Sequence, residues 1–204
     1  MEPRIIWLGH ASFRIESEKG TIFIDPWKAK DQPKADMILV THSHYDHLSE
    51  DDISALKKDT TIIVGPKDVK EQIPETIEMA PGQKKQLQGI DIETYRAYNQ
   101  EKEFHPKEKD WLGYIIDIDG FRIYHSGDTD VIREMSRLKD VDVALLPVGG
   151  TYTMTPQEAA KAVELISPKR SIPMHWGDII GGRDDALKFK ELAKCQVDIM
   201  EPEN

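Results

Sequence analysis

The sequence predicts a mixed α/β fold in which two β-sheets lie together with helices packed outside them. Three observations carry that reading. The first half of the 204-residue chain is dominated by short β-type runs bounded by Gly, Pro or Asp. The last third alternates strand-type and helix-type segments, the pattern of sheets covered by helices. No repeat, low-complexity tract or linker-like stretch divides the chain, so residues 1–204 read as one domain.

The first four strands are expected at Ile5–Leu8, Ser12–Glu16, Thr21–Asp25 and Met37–Thr41, with a hairpin turn at Gly20. Ser49 reads as the N-cap of a helix whose first turn carries Glu50, Asp51 and Asp52, acids that favour a helix N-terminus. Thr60–Val64 is a strand stopped by Gly65-Pro66, and Pro66–Gln72 a short helix. In the middle, Ile90–Tyr98, Trp111–Ile118 and Phe121–His125 read as strands, the last two joined by an Asp119-Gly120 turn. Asn99–Asp110 is a polar loop long enough to suggest a functional reason. The order then runs strand Val141–Pro147, helix Thr155–Ile166, strand Arg170–Met174, helix Asp184–Cys195, strand Val197–Met200. Thr155-Pro156-Gln157-Glu158 supplies a cap, a proline at the first helical position and an acid in the first turn.

Composition narrows the function classes. With 39% hydrophobic and 31% charged residues the chain is globular rather than disordered. A net charge of −10 disfavours broad electrostatic capture of nucleic acid, though a local basic groove stays open. The single cysteine, Cys195, excludes an internal disulfide and suits a reducing compartment; late in a helix, it reads as a packing residue rather than a nucleophile. No apolar run is long enough to span a bilayer and no secretory leader opens the chain, so a cytoplasmic protein without a membrane partner is expected. There is no Gly-x-Ser-x-Gly elbow and no Walker-type loop, so serine-hydrolase and nucleoside-triphosphatase readings lack their carriers. Asp51-Asp52 and Lys84-Lys85 read as solvated faces.

The segment that carries chemistry is Thr41-His42-Ser43-His44-Tyr45-Asp46-His47 at the end of a strand. His42 and His44, one residue apart on extended backbone, project to the same side, and two neutral imidazoles there form a metal pair. Asp46 and His47 follow where the chain turns, offering a carboxylate and a further nitrogen to an adjacent ion. Asp128 follows a strand and a glycine, where the chain can turn sharply and present its carboxylate; the plainer alternative is a helix cap ahead of Val131–Leu138. His175, beside Trp176, is either a ligand or a packed core histidine. Asp25 has no helix after it to cap, so it is assigned to hold a ligating imidazole or the ligand loop's amides, with an ordinary turn aspartate before Pro26 as the alternative. His10 lines the mouth of the site or sits satisfied in the core, and His125 is left out of the ligand set. In Leu146–Met154, glycines let backbone approach a ligand or simply make a loop, and Tyr152 is the candidate for contact with substrate.

His-x-His-x-Asp-His after a strand resembles the signature of the metallo-β-lactamase superfamily. Trp7-Leu8-Gly9-His10-Ala11-Ser12-Phe13 resembles the opening of its lactonase-like and phosphodiesterase-like branch. Ile24-Asp25-Pro26, Tyr124-His125-Ser126-Gly127-Asp128-Thr129 and Pro173-Met174-His175-Trp176 resemble further segments of the family, and the resemblance covers nearly the whole chain. It implies a four-layer αββα sandwich with the site at one edge between the sheets. It also implies two metal ions: His42 and His44 on the first, Asp46, His47 and His175 on the second, and Asp128 bridging both.

One position departs from the family pattern. A third histidine for the first ion is expected at the end of a strand like Ile90–Tyr98, where this sequence has Ala97-Tyr98-Asn99. His105 could complete the site if the loop folds back, or Asn99 could stand there as a weak oxygen ligand, or the first site could be poorly occupied. His105 is preferred, because imidazole outcompetes a neutral amide and three protein ligands plus water is the usual catalytic arrangement. The chemistry that follows is metal-assisted hydrolysis of an ester, lactone or phosphoester by a metal-bound hydroxide that Asp46 orients. Zinc (Zn2+) is the first expectation, with Mn2+ or Fe2+ admitted by the hard oxygens of Asp46 and Asp128. A small-molecule substrate is expected, and a homo-oligomer is open. The alternatives are a nucleic-acid-processing metallohydrolase, for which no basic clamp is visible, and a metal-binding sensor or redox protein without hydrolytic activity.

Overall fold

A computed structural model describes residues 2–203. A six-stranded sheet has the order β1(Arg4–Gly9), β2(Ser12–Ser17), β3(Gly20–Ile24), β4(Met37–Leu39), β5(Ile62–Gly65), β6(Ile77–Glu78). A seven-stranded sheet contains β7(Lys84–Leu87), β8(Ile90–Arg96), β9(Leu112–Ile118), β10(Phe121–His125), β11(Val143–Pro147), β12(Arg170–Met174) and β13(Gln196–Val197), again in sequence order. Four α-helices accompany them: α1(Glu50–Leu56), α2(Lys67–Gln72), α3(Pro156–Ile166) and α4(Arg183–Leu192). Short 3-10 turns lie at Lys107–Lys109 and Arg133–Arg137.

Alternation along the strands explains the layers. Ile5, Trp7, Ile22, Ile24, Met37, Leu39 and Val64 face the other sheet and join the main core. Their neighbours Ile6, Leu8, Phe23, Ile38, Val40 and Ile63 face outward, into a second cluster with Ile53 and Leu56 of α1 and Val69 of α2. A strand with both faces buried reads as a continuous apolar run, and its outer face needs a covering helix. On the other side α3 packs on α4 and β11, and α4 on β12. The molecule is therefore an αββα sandwich.

Both sheets follow one plan that the sequence does not display as a repeat. Each begins as an antiparallel meander, β1–β3 and β7–β10, and continues as parallel strands, β3–β6 and β10–β13. The switch points are β3/β4 and β10/β11, and open sheets bind ligands beyond the carboxyl ends of strands at such points.

Most expected elements are present with shifted ends. β4 stops at Leu39 and β11 starts at Val143, both shorter than expected. The helix expected to run to Cys195 ends at Leu192, so Cys195 lies half-buried in the connection to β13, its thiol 3.4 Å from the Ser171 hydroxyl. The Ser49 cap forms, with its hydroxyl accepting from the Asp52 amide, and Thr155 and Glu158 close a reciprocal capping box. β6 and β7 are additions. Among the described residues no helix is long and apolar enough to cross a membrane.

Candidate metal centre

Asp25 organises the first part of the site. It follows β3 in the left-handed region (φ 45°), fully buried, and takes hydrogen bonds from the Thr41 amide at 2.7 Å and the Thr41 hydroxyl at 2.6 Å. Its Oδ2 also lies 2.7 Å from His47 Nδ1, so Nδ1 is the nitrogen bonded to Asp25 and Nε2 is the one that faces inward. The chain past Thr41 is thereby clamped where β4 ends. A single helical turn, in which the Leu48 amide donates to the His44 carbonyl at 2.8 Å, then carries His44 to His47 round the opening.

His42, His44 and His105 form one ligand group, with His42 Nε2 and His44 Nδ1 3.0 Å apart. His105 arrives because the loop does fold back. Asn99 donates its amide to the His105 carbonyl at 2.8 Å, while its Oδ1 accepts from the His105 amide at 3.0 Å and from His105 Nδ1 at 2.9 Å. Asn99 is thus the holder of His105, its own Nδ2 turned to Asp130 and to the Tyr152 carbonyl, each at 3.1 Å. Asp130 secures the same loop through the Gln100 amide (2.9 Å) and an ion pair with Lys102.

Asp46, His47 and His175, joined by His10, form the second group. His175 follows β12 with φ 59°, its amide donating to the His10 carbonyl at 2.8 Å. Gly149 makes room for it, since a Cβ there would collide with the His175 carbonyl oxygen. That close approach is the visible use of the Gly149-Gly150 loop, while Tyr152 reaches the cavity wall.

Asp128 stands between the groups. Its Oδ2 lies 3.1 Å from His175 Nε2, 3.2 Å from His105 Nε2 and 3.4 Å from His47 Nε2. It caps no helix: the turn after it begins beyond Ile132. Gly127 permits the sharp entry, at φ 61° and hard against the Leu112 carbonyl.

The electrostatics suit cations. Burial lowers the pKa of His42, His44 and His10, keeping these imidazoles neutral and ready as ligands. Burial would also lower His47, but the carboxylates of Asp128 and Asp25 outweigh it and raise the group well above the ordinary histidine range. Burial would raise Asp128, yet His175 and His47 hold it well below the usual carboxylate value. Burial likewise works against Asp46, which His10 and His47 nevertheless pull down to about 2. The buried atoms His47 Nε2, His105 Nε2 and Asp128 Oδ1 have no hydrogen-bond partner. Buried polar atoms without partners are rare, and here they converge in the pattern of a metal donor set.

Every residue singled out from the sequence as a ligand is therefore brought to one place, and His125 stays outside, bonded to the Ala11 carbonyl at 2.9 Å. His10 proves buried at 1% exposure, with φ 49° and Nε2 2.9 Å from Asp46 Oδ2. Two residues were missed. Trp111 packs its indole against the rings of His42, His44 and His105, with centroids 4.7, 4.8 and 5.6 Å away. Asp68, from α2, accepts from Trp111 Nε1 and from the Ser43 hydroxyl, both at 2.7 Å. A tryptophan opening the strand after a polar loop was the only signal available.

Comparison with known proteins agrees with this fold. Residues 4–175 match the family model described as a beta-lactamase superfamily domain. A UPF0173 metal-dependent hydrolase of Thermococcus onnurineus is 36% identical, covering 98% of this chain and 96% of its own. A counterpart in Thermococcus kodakarensis is 38% identical with the same coverage. Among solved structures, a protein from Parabacteroides distasonis named as a metal-dependent hydrolase superposes with a TM-score of 0.90 at 34% identity, covering 98% of this chain and 94% of that one. A metallo hydrolase from the archaeon Ignicoccus hospitalis gives 0.83 at 25%, covering 99% and 96%. With this fold, this donor cluster and these relatives, the chain belongs to the metallo-β-lactamase superfamily, within its family of UPF0173 metal-dependent hydrolases.

Proposed function

We propose that the chain, working as one domain over residues 1–204, hydrolyses an ester, lactone or phosphoester of a small molecule at a two-metal site. His42, His44 and His105 would hold a first ion, Asp46, His47 and His175 a second, with Asp128 standing between the two groups. The observation that carries this reading is the convergence of three buried imidazole nitrogens on one Asp128 oxygen, at 3.1, 3.2 and 3.4 Å. Zinc is the first choice for an imidazole-rich donor set, and the carboxylates admit manganese or iron. Two such ions supply a Lewis acid and lower the pKa of a coordinated water from 15.7 to about 7, giving a nucleophile at neutral pH. Asp46, which lines the cavity, would orient a water there, and Asp25 fixes which His47 nitrogen faces inward. His44 and His105 line the cavity beside the cluster, leaving room for the bond under attack.

Elemental analysis tests it. The native protein should carry about two ions, falling toward one in His105→Ala. Asn99→Ala should still fill both sites at saturating zinc, with the first site weakened about 10–100-fold through loss of the group that holds His105. A full count in His105→Ala, or a single ion in the native protein, would sink the two-metal assignment.

A further inference from the structure

A cavity of about 250 Å3 opens over the donor cluster, which forms its floor. Its wall is Tyr45, Phe104, Tyr152 and Ile179. Tyr45, Phe104 and Ile179 are 68%, 45% and 36% exposed, half of the six exposed large apolar side chains among the described residues. Phe104 meets Tyr152 edge-on at 4.7 Å, and Tyr45 meets Trp27 at 6.3 Å, so the apolar surface continues outward. Such a patch at the rim of a cavity marks a binding surface. No Lys or Arg lines the cavity. Of the cations beyond it, Lys28 is engaged by Asp178 at 2.8 Å and Lys102 by Asp130.

These walls decide among the bonds the centre could cut. Two divalent ions against the carboxylates of Asp46 and Asp128 leave a positive field at the floor, enough for one oxygen that becomes anionic. A second charge, or the neighbouring phosphates of a nucleic acid, would lie desolvated on an apolar wall with no cation to meet it. We propose, resting on the hydrolase reading above, that the substrate is an uncharged carboxylic ester or lactone with a short apolar arm packed on Phe104, Tyr152 and Ile179. The cavity lies just below the ~300 Å3 at which ligand pockets usually begin, which limits the arm to a few carbons.

The test uses the zinc-loaded full chain with p-nitrophenyl acetate, propionate and butyrate, against bis(p-nitrophenyl) phosphate. Calorimetric binding of acetate, propionate, butyrate and dimethyl phosphate runs beside it. kcat/KM should rise about four-fold per methylene, with butyrate ester turned over faster than the diester. Phe104→Ala and Ile179→Ser should each flatten that slope while two ions stay bound. Turnover without a chain-length slope, or a preference for the diester, overturns the substrate class and leaves the hydrolase reading standing. Absence of turnover on every substrate with two ions bound discards hydrolysis itself. Binding then judges the wall alone: affinity graded with chain length keeps it as an apolar-arm site, and tighter dimethyl phosphate overturns it.

Discussion

His10, Asp25 and His175 all sit in the left-handed region of backbone space, with φ of 49°, 45° and 59°. A residue with a side chain adopts that conformation at a cost of about 1–2 kcal/mol, so three at one site mean that packing elsewhere holds them there. His10 is the most informative. Its carbonyl accepts from the Trp7 indole and the His175 amide, while its ring nitrogen lies 2.9 Å from Asp46. Donation to one oxygen of Asp46 would fix that carboxylate's orientation toward the proposed second ion. His10→Gly relieves the backbone but leaves a cavity where the buried ring was, so folding stability should fall, and in the folded fraction affinity for the proposed second ion should drop about ten-fold with loss of the donor. An unchanged zinc isotherm would show that Asp46 needs no such support. At this scale the sequence disclosed most of the donors, because His42 to His47 are contiguous and Asp128 and His175 lie in recognisable segments. It could not rank His10, whose burial depends on the fold. It gave no hint that Asp68 would tie Trp111 beneath three histidines, since residues 42, 68 and 111 meet only in three dimensions.

Among the elements, legibility followed burial and capping. β1 and β3 announce themselves because both faces are buried, and α1 and α3 because their caps are written in Ser49 and Thr155. β6 was hidden by its length of two residues, and β7 by an exposed edge whose Lys84 and Lys85 look like any solvated stretch. The far ends of the parallel strands make their own prediction. Asp142, just before β11, accepts from the Arg122 amide at 2.8 Å and pairs with Lys169 at 2.6 Å. Burial would raise its pKa, but Lys169 and the Arg122 amide outweigh that and lower it. A carboxyl with a depressed folded pKa stabilises the fold above its unfolded value of about 3.9, and the contribution vanishes as pH falls through the folded value. Asp142→Asn should therefore lower the urea midpoint at neutral pH. The gap to the native protein should close as the medium is acidified below the ordinary carboxylate range. A gap that persists in acid would mean that the carboxylate's charge is not what stabilises this end of the sheet.

For the whole molecule, the centre lies where two sheets built on one plan face each other. His42, His44, Asp46 and His47 come from the half that forms the first sheet, and His105, Asp128 and His175 from the half that forms the second. Ions held as proposed would thus tie the halves together, and ligands that bind only the folded state stabilise it by mass action. If the two proposed sites hold zinc, each would add about 2.7 kcal/mol at free zinc near 100 times Kd, so stripping both ions should lower Tm by about 10–20 °C for a chain of this size. A chelated sample melting with the untreated one would break the link between metal and fold. A wider groove of about 680 Å3 near Gly120, Lys169 and Arg170 lies at the opposite ends of the parallel strands, away from the donors.

The spread of donors from residue 42 to residue 175 also sets an order of events during synthesis. A growing chain displays His42, His44, Asp46 and His47 long before their partners leave the ribosome. Those four can grip a stray ion while still unstructured, and any such grip is affinity for the unfolded state, which subtracts from what the metal later contributes. The proposed coordination shell would wait for His175, which follows β12. On the proposed ligand set, loading would therefore be a closing step of biogenesis, and a chain truncated before β12 would be a scavenger of metal rather than a keeper of it.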